Sequence, residues 1–161
     1  MKLIRAVQDQ FQFEISREEK HLLNVLQLYP LVPASHHQLS QGCEIPEQEE
    51  NQRLLEDSLK AQREENRKKV VELLNESKRF TETASGYRAD FARGEIEWLL
   101  QVLNDVRVGS WLALGSPAAH PEVKPGMSHQ TMSHIVTMGI AAFFEMRFLN
   151  AVSGGQPSGH D

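Results

Sequence analysis

Seven histidines and a single cysteine are the side chains best able to hold a metal or attack an electrophile. Their spacing does not assemble either chemistry. His129 and His134 stand five apart, whereas two ligands on one helical face need a separation of four. His36 and His37 are neighbours in a loop and point in different directions. No cysteine pair, and no histidine with a carboxylate at ligand spacing, completes a zinc-type set. Ordinary loop and cap histidines are therefore expected, with no metal and no cofactor. A site gathered from His120, His129 and His134 needs the intervening loop to fold back. Cys43 is followed by Glu44, which opposes the thiolate that a nucleophile requires. No Gly-x-Ser-x-Gly elbow, phosphate-binding glycine loop or dinucleotide fingerprint occurs.

A second cluster lies inside the most apolar region. The run Leu103-Asn104-Asp105-Val106-Arg107 places polar groups on a strongly periodic helix. Asp105 and Arg107 are two apart, so they do not face each other and form no acid–base pair alone. Asp105 shares a side with Trp98, Gln101 and Leu112. Arg107 shares one with Leu100, Leu103 and Trp111, and its guanidinium can reach the Trp111 ring. A charge buried here needs a partner, and Glu145 and Arg147 on the last helix are the natural candidates. The candidate polar cluster is thus Asn104, Asp105, Arg107, Glu145 and Arg147. It reads first as a network that sets helix register, and second as a ligand or partner site.

The elements that position these residues follow from periodicity. Phe11, Phe13 and Ile15 alternate with Gln12 and Glu14, a strand pattern, and Leu3–Val7 can pair with it across Asp9–Gln10 as a hairpin over residues 1–15. Ser16 and Glu19 form a capping box for a helix carrying Leu22, Leu23, Leu26 and Tyr29, which stops before Pro30. A loop runs from Pro30 to Pro46. Residues 47–80 are rich in Glu-to-basic pairs such as Glu49/Arg53, Glu56/Lys60, Glu64/Lys68 and Glu65/Lys69, which support an exposed helix. Its stripe is polar at the middle, so its ends should pack while the Gln62–Asn66 centre meets water or a partner. The stripe is too polar for a sustained coiled coil.

Gly86 and Gly94 bracket a break or a short helix through Tyr87 and Phe91. Glu95–Leu114 is the strongest helix, stopped by Gly115. After the loop Ser116–Gly126, a last helix starts near Ser128 or Ser133 and is apolar almost all round from Ile135 to Val152, the pattern of a buried helix. The tail 153–161 has a disordered composition. The expected fold is mainly α: a helical bundle of about four to five helices with a small N-terminal β-hairpin, in one domain over residues 1–152.

The whole-chain figures narrow the function. A chain of 161 residues suits one domain with its own core. The net charge of −5 argues against nucleic-acid binding, which needs a basic face. A helix-turn-helix around Gly86–Gly94 is disfavoured for the same reason. The stretch Ile135–Phe144 falls short of the about 20 residues a membrane span needs. One cysteine and no signal-like start point to a cytoplasmic protein.

The run from Trp98 to Gly115, with Leu103, Asn104, Asp105, Arg107 and Leu112, resembles an uncharacterised bacterial domain-of-unknown-function family, often encoded beside the Clp-protease adaptor in actinobacteria. That resemblance implies a β-rich start, an early helix, a long charged helix and then the Asn-Asp-bearing helix; Trp111 departs from the small residue expected there. It implies no activity. The combined expectation is a non-enzymatic helical protein acting through protein–protein contacts, as a homo-oligomer or a proteolysis-linked regulatory partner. The alternative is an enzyme or small-ligand binder with a polar site around Asp105 and Arg107.

Overall fold

The computed structural model describes residues 1–36 and 48–154. His37, Cys43 and residues 155–161 lie outside them. Strands β1 (Lys2–Val7) and β2 (Gln10–Ile15) form the N-terminal hairpin. Helix α1 (Arg17–Leu22) follows, and it passes into a 3-10 segment, Leu23–Leu28. Its start is fixed by the capping box: the Glu19 amide donates to Ser16 Oγ at 3.1 Å, and the Ser16 amide donates to Glu19 Oε2 at 2.8 Å. Then come α2 (Gln48–Asn75), β3 (Phe80–Glu82), β4 (Tyr87–Ala92), α3 (Arg93–Ala113) and α4 (His129–Val152).

The expected bundle with a small hairpin is corrected here. The molecule is α+β, with one antiparallel sheet of four strands in the order β1-β2-β4-β3. The break or short helix placed at Gly86–Gly94 is strand β4, which rules out a helix-turn-helix there. Its residues alternate as strictly as those of β2: Ala89 and Phe91 are buried while Arg88 and Asp90 are exposed. Phe11 pairs with Phe91, Phe13 with Ala89 and Ile15 with Tyr87. One sheet face is therefore apolar and the other solvated, as antiparallel sheets allow. Gly86 is required by proximity, because a Cβ there would collide with the Ile15 carbonyl oxygen. The long helix ends at Asn75, and Phe80 belongs to β3.

Helices α3 and α4 cover the apolar face. Phe148 of α4 meets Phe13 and Phe91 edge-on, with ring centroids 5.7 and 5.4 Å apart. Edge-to-face contacts of this kind add to the burial of three large rings. Leu99, Leu103 and Val106 of α3 and Phe144 of α4 complete the centre, all fully buried.

Two further expectations change. Of the Gln62–Asn66 centre of α2, Gln62 is exposed as expected but Asn66 is buried, and Leu54 nearer the start of the helix is exposed. Helix α4 is buried on one side only. By length and composition it could cross a membrane, but 39% of its apolar window is buried in this fold, and its inner side forms the core. Ile135, Met138, Ala141, Phe144 and Phe148 point inward; Val136, Gly139 and Met146 point outward.

Replacing Phe148 by Ala should cost about 3–5 kcal/mol of stability in chemical denaturation, the range for a buried aromatic truncated in a core. Met146→Ala on the opposite side should stay within about 0.5 kcal/mol. Similar losses for both would mean that α4 is not seated on the sheet.

Candidate functional site

The signature on α3 divides into two faces. On one face, Asp105 Oδ1 accepts the backbone amides of Leu31 at 2.6 Å and Val32 at 3.2 Å. Gly109 lies one turn further along the same face. A Cβ at Gly109 would stand 2.5 Å from the Leu31 carbonyl carbon and 2.6 Å from its Cβ. A carboxylate and a bare backbone four residues apart thus form a seat for the segment leaving the 3-10 turn. The two amides satisfy the carboxylate as charge-assisted donors.

On the other face, Arg107 reaches across to α4, where its Nε lies 2.9 Å from Glu145 Oε2. That nitrogen has no well-aligned acceptor, so the contact is chiefly ionic. Arg107 Nη2 donates to Asn104 Oδ1 at 2.8 Å. Burial pushes the Glu145 carboxyl above its ordinary value, and the Arg107 charge only partly opposes this. Trp111 gives its indole N–H to the Pro117 carbonyl oxygen at 3.1 Å, apart from Arg107. Arg147 is exposed, with its guanidinium 5.3 Å from the Phe143 ring centre. The structure therefore joins Asn104, Arg107 and Glu145, and leaves Asp105 and Arg147 in separate environments.

Two polar nodes have no counterpart in the sequence reading. Trp98 Nε1 donates to Asn66 Oδ1 at 2.9 Å, and Asn66 Nδ2 donates to Tyr29 Oη at 3.2 Å. This relay ties α2 to α3 and to the start of the seated segment. Arg79, whose side chain is 11% exposed, forms a fork with Glu95 at 2.6 and 3.0 Å and also donates to Glu76 and the Asp90 carbonyl. Burial disfavours the Arg79 charge, yet Glu95 and Glu76 hold the guanidinium above its ordinary value. Burial likewise disfavours the charged Glu95 carboxylate, but Arg79 and the Ala92 amide draw it below its ordinary value. A Glu three residues into α3 was the available signal for the cap; nothing local marked Arg79 as its partner.

Two open grooves flank α2. One, of about 510 Å³, runs past Lys69, Leu73, Arg79 and Trp98. The other, of about 530 Å³, lies between Pro30 and Ala34 on one side and Leu59, Lys60, Arg63 and Arg67 on the other. Each is open to solvent and lined by charged side chains of both signs. His120 and His129 are exposed and His134 is half-buried. Among the described residues, no three metal-ligating side chains come together.

No protein-family model matches this chain, and no curated protein or solved structure matches it.

Asp105→Ala and Gly109→Ala should each destabilise by about 1–3 kcal/mol, the first by stripping two amides of their acceptor and the second by overpacking. Because both act on Leu31, the double variant should fall short of the additive value by about 0.5 kcal/mol or more. Strict additivity would contradict a shared seat.

The two partly buried carboxylates should show opposite pH dependence. A raised folded-state value means that the native state binds the Glu145 proton more tightly. Wild-type stability relative to Glu145→Gln should therefore fall as pH rises through and above the ordinary 4.5. Glu95 is lowered, so the wild-type advantage over Glu95→Gln should be present above 4.5 and fade as pH drops below it. Thermal melts of the three proteins across the acid range test both signs.

Proposed function

We propose that this chain is a non-enzymatic interaction protein and that its contact surface is the outward side of α4. The observation that carries the reading is the exposure of large apolar side chains on a core helix. Val136 and Met146 are each about half exposed, at 51% and 52%, and Leu149 stands at 49%. Three such side chains on one helix support a contact role, although Leu54, Val71 and Val123 elsewhere are exposed to a similar degree. The polar signature supports the same reading from the other side: the Asp105 carboxylate is taken up by backbone amides, and Arg107 is taken up by Glu145. A polar ligand or substrate would have to displace those contacts, so the alternative of an enzyme or ligand site there is the weaker one.

The resemblance of Trp98–Gly115 to the bacterial family encoded beside the Clp adaptor makes a proteolysis-linked regulatory role in the cytoplasm the first process to examine. Chemical crosslinking and affinity purification from native cells should recover protein with the wild type and lose it with Met146→Glu. Glu145→Gln, which alters an inward contact, should keep the recovery. Equal recovery by wild type and Met146→Glu would overturn the assignment of this face.

A further inference from the structure

Outside the surfaces already described, one cavity carries charge of a single sign. It measures about 270 Å³ and lies where α1 and the 3-10 segment meet β3 and β4. Arg17, Lys20, His21 and Asn24 line one side, and Phe80 and Tyr87 line the other. The four polar residues follow one another at steps of three, one and three, a spacing that puts side chains on one face of a helical segment. The two grooves beside α2 include glutamates in their walls. Here, among the described residues, no carboxylate lines the cavity, although the whole chain has a net charge of −5.

The lining is a set of donors with little else to bind. Lys20 is half-buried, and its ammonium sits 4.1 Å from the Tyr87 ring centre and 5.1 Å from that of Phe80. The rings attract the charge but offer no oxygen to its three N–H donors. Among the described residues, Lys20 belongs to no ion pair. Arg17 meets Glu82 at 3.4 Å, but the two side chains are 65% and 68% exposed. Water competes for such a pair, so the guanidinium can turn to another anion at little cost. Asn24 Oδ1 accepts from Gln27 Nε2 at 3.4 Å, which leaves the Asn24 amide group as a donor. His21 adds an imidazole N–H and Tyr87 a hydroxyl.

We propose that this cavity binds a phosphomonoester group, with Lys20 and Arg17 neutralising its charge and His21, Asn24 and Tyr87 donating to its oxygens. Such a group carries about −1.5 to −2 charges at neutral pH and three strong acceptor oxygens. A carboxylate brings one charge and two oxygens to five donor groups, and so fits the set less well. A cation would meet the ammonium and the guanidinium with no carboxylate in the wall to offset them. The volume lies below the about 300–1,000 Å³ of sites that enclose a drug-sized ligand, so the cavity takes the head group and leaves the esterified remainder outside. That remainder belongs to a small molecule or to a phosphorylated side chain, and the recognised chemistry is the same. The site is separate from the α4 face and does not depend on the reading of that face.

In an NMR titration of the full chain at constant ionic strength, the His21 ring and the Asn24 side-chain amide should shift saturably with inorganic phosphate. Acetate should bind about tenfold more weakly or not at all. Lys20→Met should weaken phosphate binding about tenfold or more, the loss of one charge-assisted partner. Tyr87→Phe, which keeps the ring beside Lys20, should weaken it about threefold or more. Lys68→Met removes the same charge from an exposed position on α2 and should leave binding unchanged. If Lys20→Met fails to fold, Asn24→Ala at an exposed position carries the same test. Glycerol phosphate and a phosphoserine peptide separate the two sources: whichever binds more tightly identifies the ligand, and either result upholds the site. Shifts that never saturate, or equal weakening by Lys68→Met and Lys20→Met, would overturn it by reducing the effect to general charge attraction.

Discussion

A single carboxylate, Asp105 on α3, gathers two backbone amides from a segment 74 residues earlier in the chain. Much of the surrounding arrangement depends on where that segment crosses. Gly109 lets it lie directly on the helix surface. With Leu31 and Val32 held, Tyr29 stands against Asn66, and Asn66 in turn receives the Trp98 indole. The start of the chain, the long helix and α3 are thereby locked in one register. With two backbone amides on its carboxylate, Asp105 serves different neighbours from Arg107 two residues along.

The other end of α3 is fixed by a different device. The Arg79–Glu95 fork joins the strand pair to the first turn of the helix, and Glu95 also takes the Ala92 amide. Strand β4 and α3 are continuous in sequence, so fixing one orients the other. The sheet then presents Phe13 and Phe91 to Phe148, and α4 is captured between sheet and α3. Polar interactions set directions here, and aromatic burial supplies the larger share of stability.

Local signals read correctly where they are strong. The Ser16–Glu19 box, the alternation of β2 and the periodicity of α3 all identify their elements. The β3–β4 pair was obscured because Tyr87, Ala89 and Phe91 give only a few alternating positions between two glycines. Sequence spacing shows that Asp105 and Arg107 part company, and burial logic points Arg107 toward Glu145. No local rule points Asp105 toward amides so distant in the chain. Asn66 looks solvated in the sequence because it is a polar residue midway along a charged helix, and only tertiary packing supplies its two aromatic partners. Helix α4 shows the converse: apolar composition all round suggests full burial, whereas the fold covers one side and leaves Val136, Met146 and Leu149 exposed.

Asp105 and Arg107 thus make separate contacts within the fold, the first with the Leu31 and Val32 amides and the second with Glu145. That division can be read from two amide protons. In hydrogen exchange followed by NMR, the Leu31 and Val32 amides should be protected about as strongly as the central amides of α3, opening only with global unfolding. Exchange of both at rates typical of an open loop, with α3 still protected, would contradict the seat on Asp105 and Gly109.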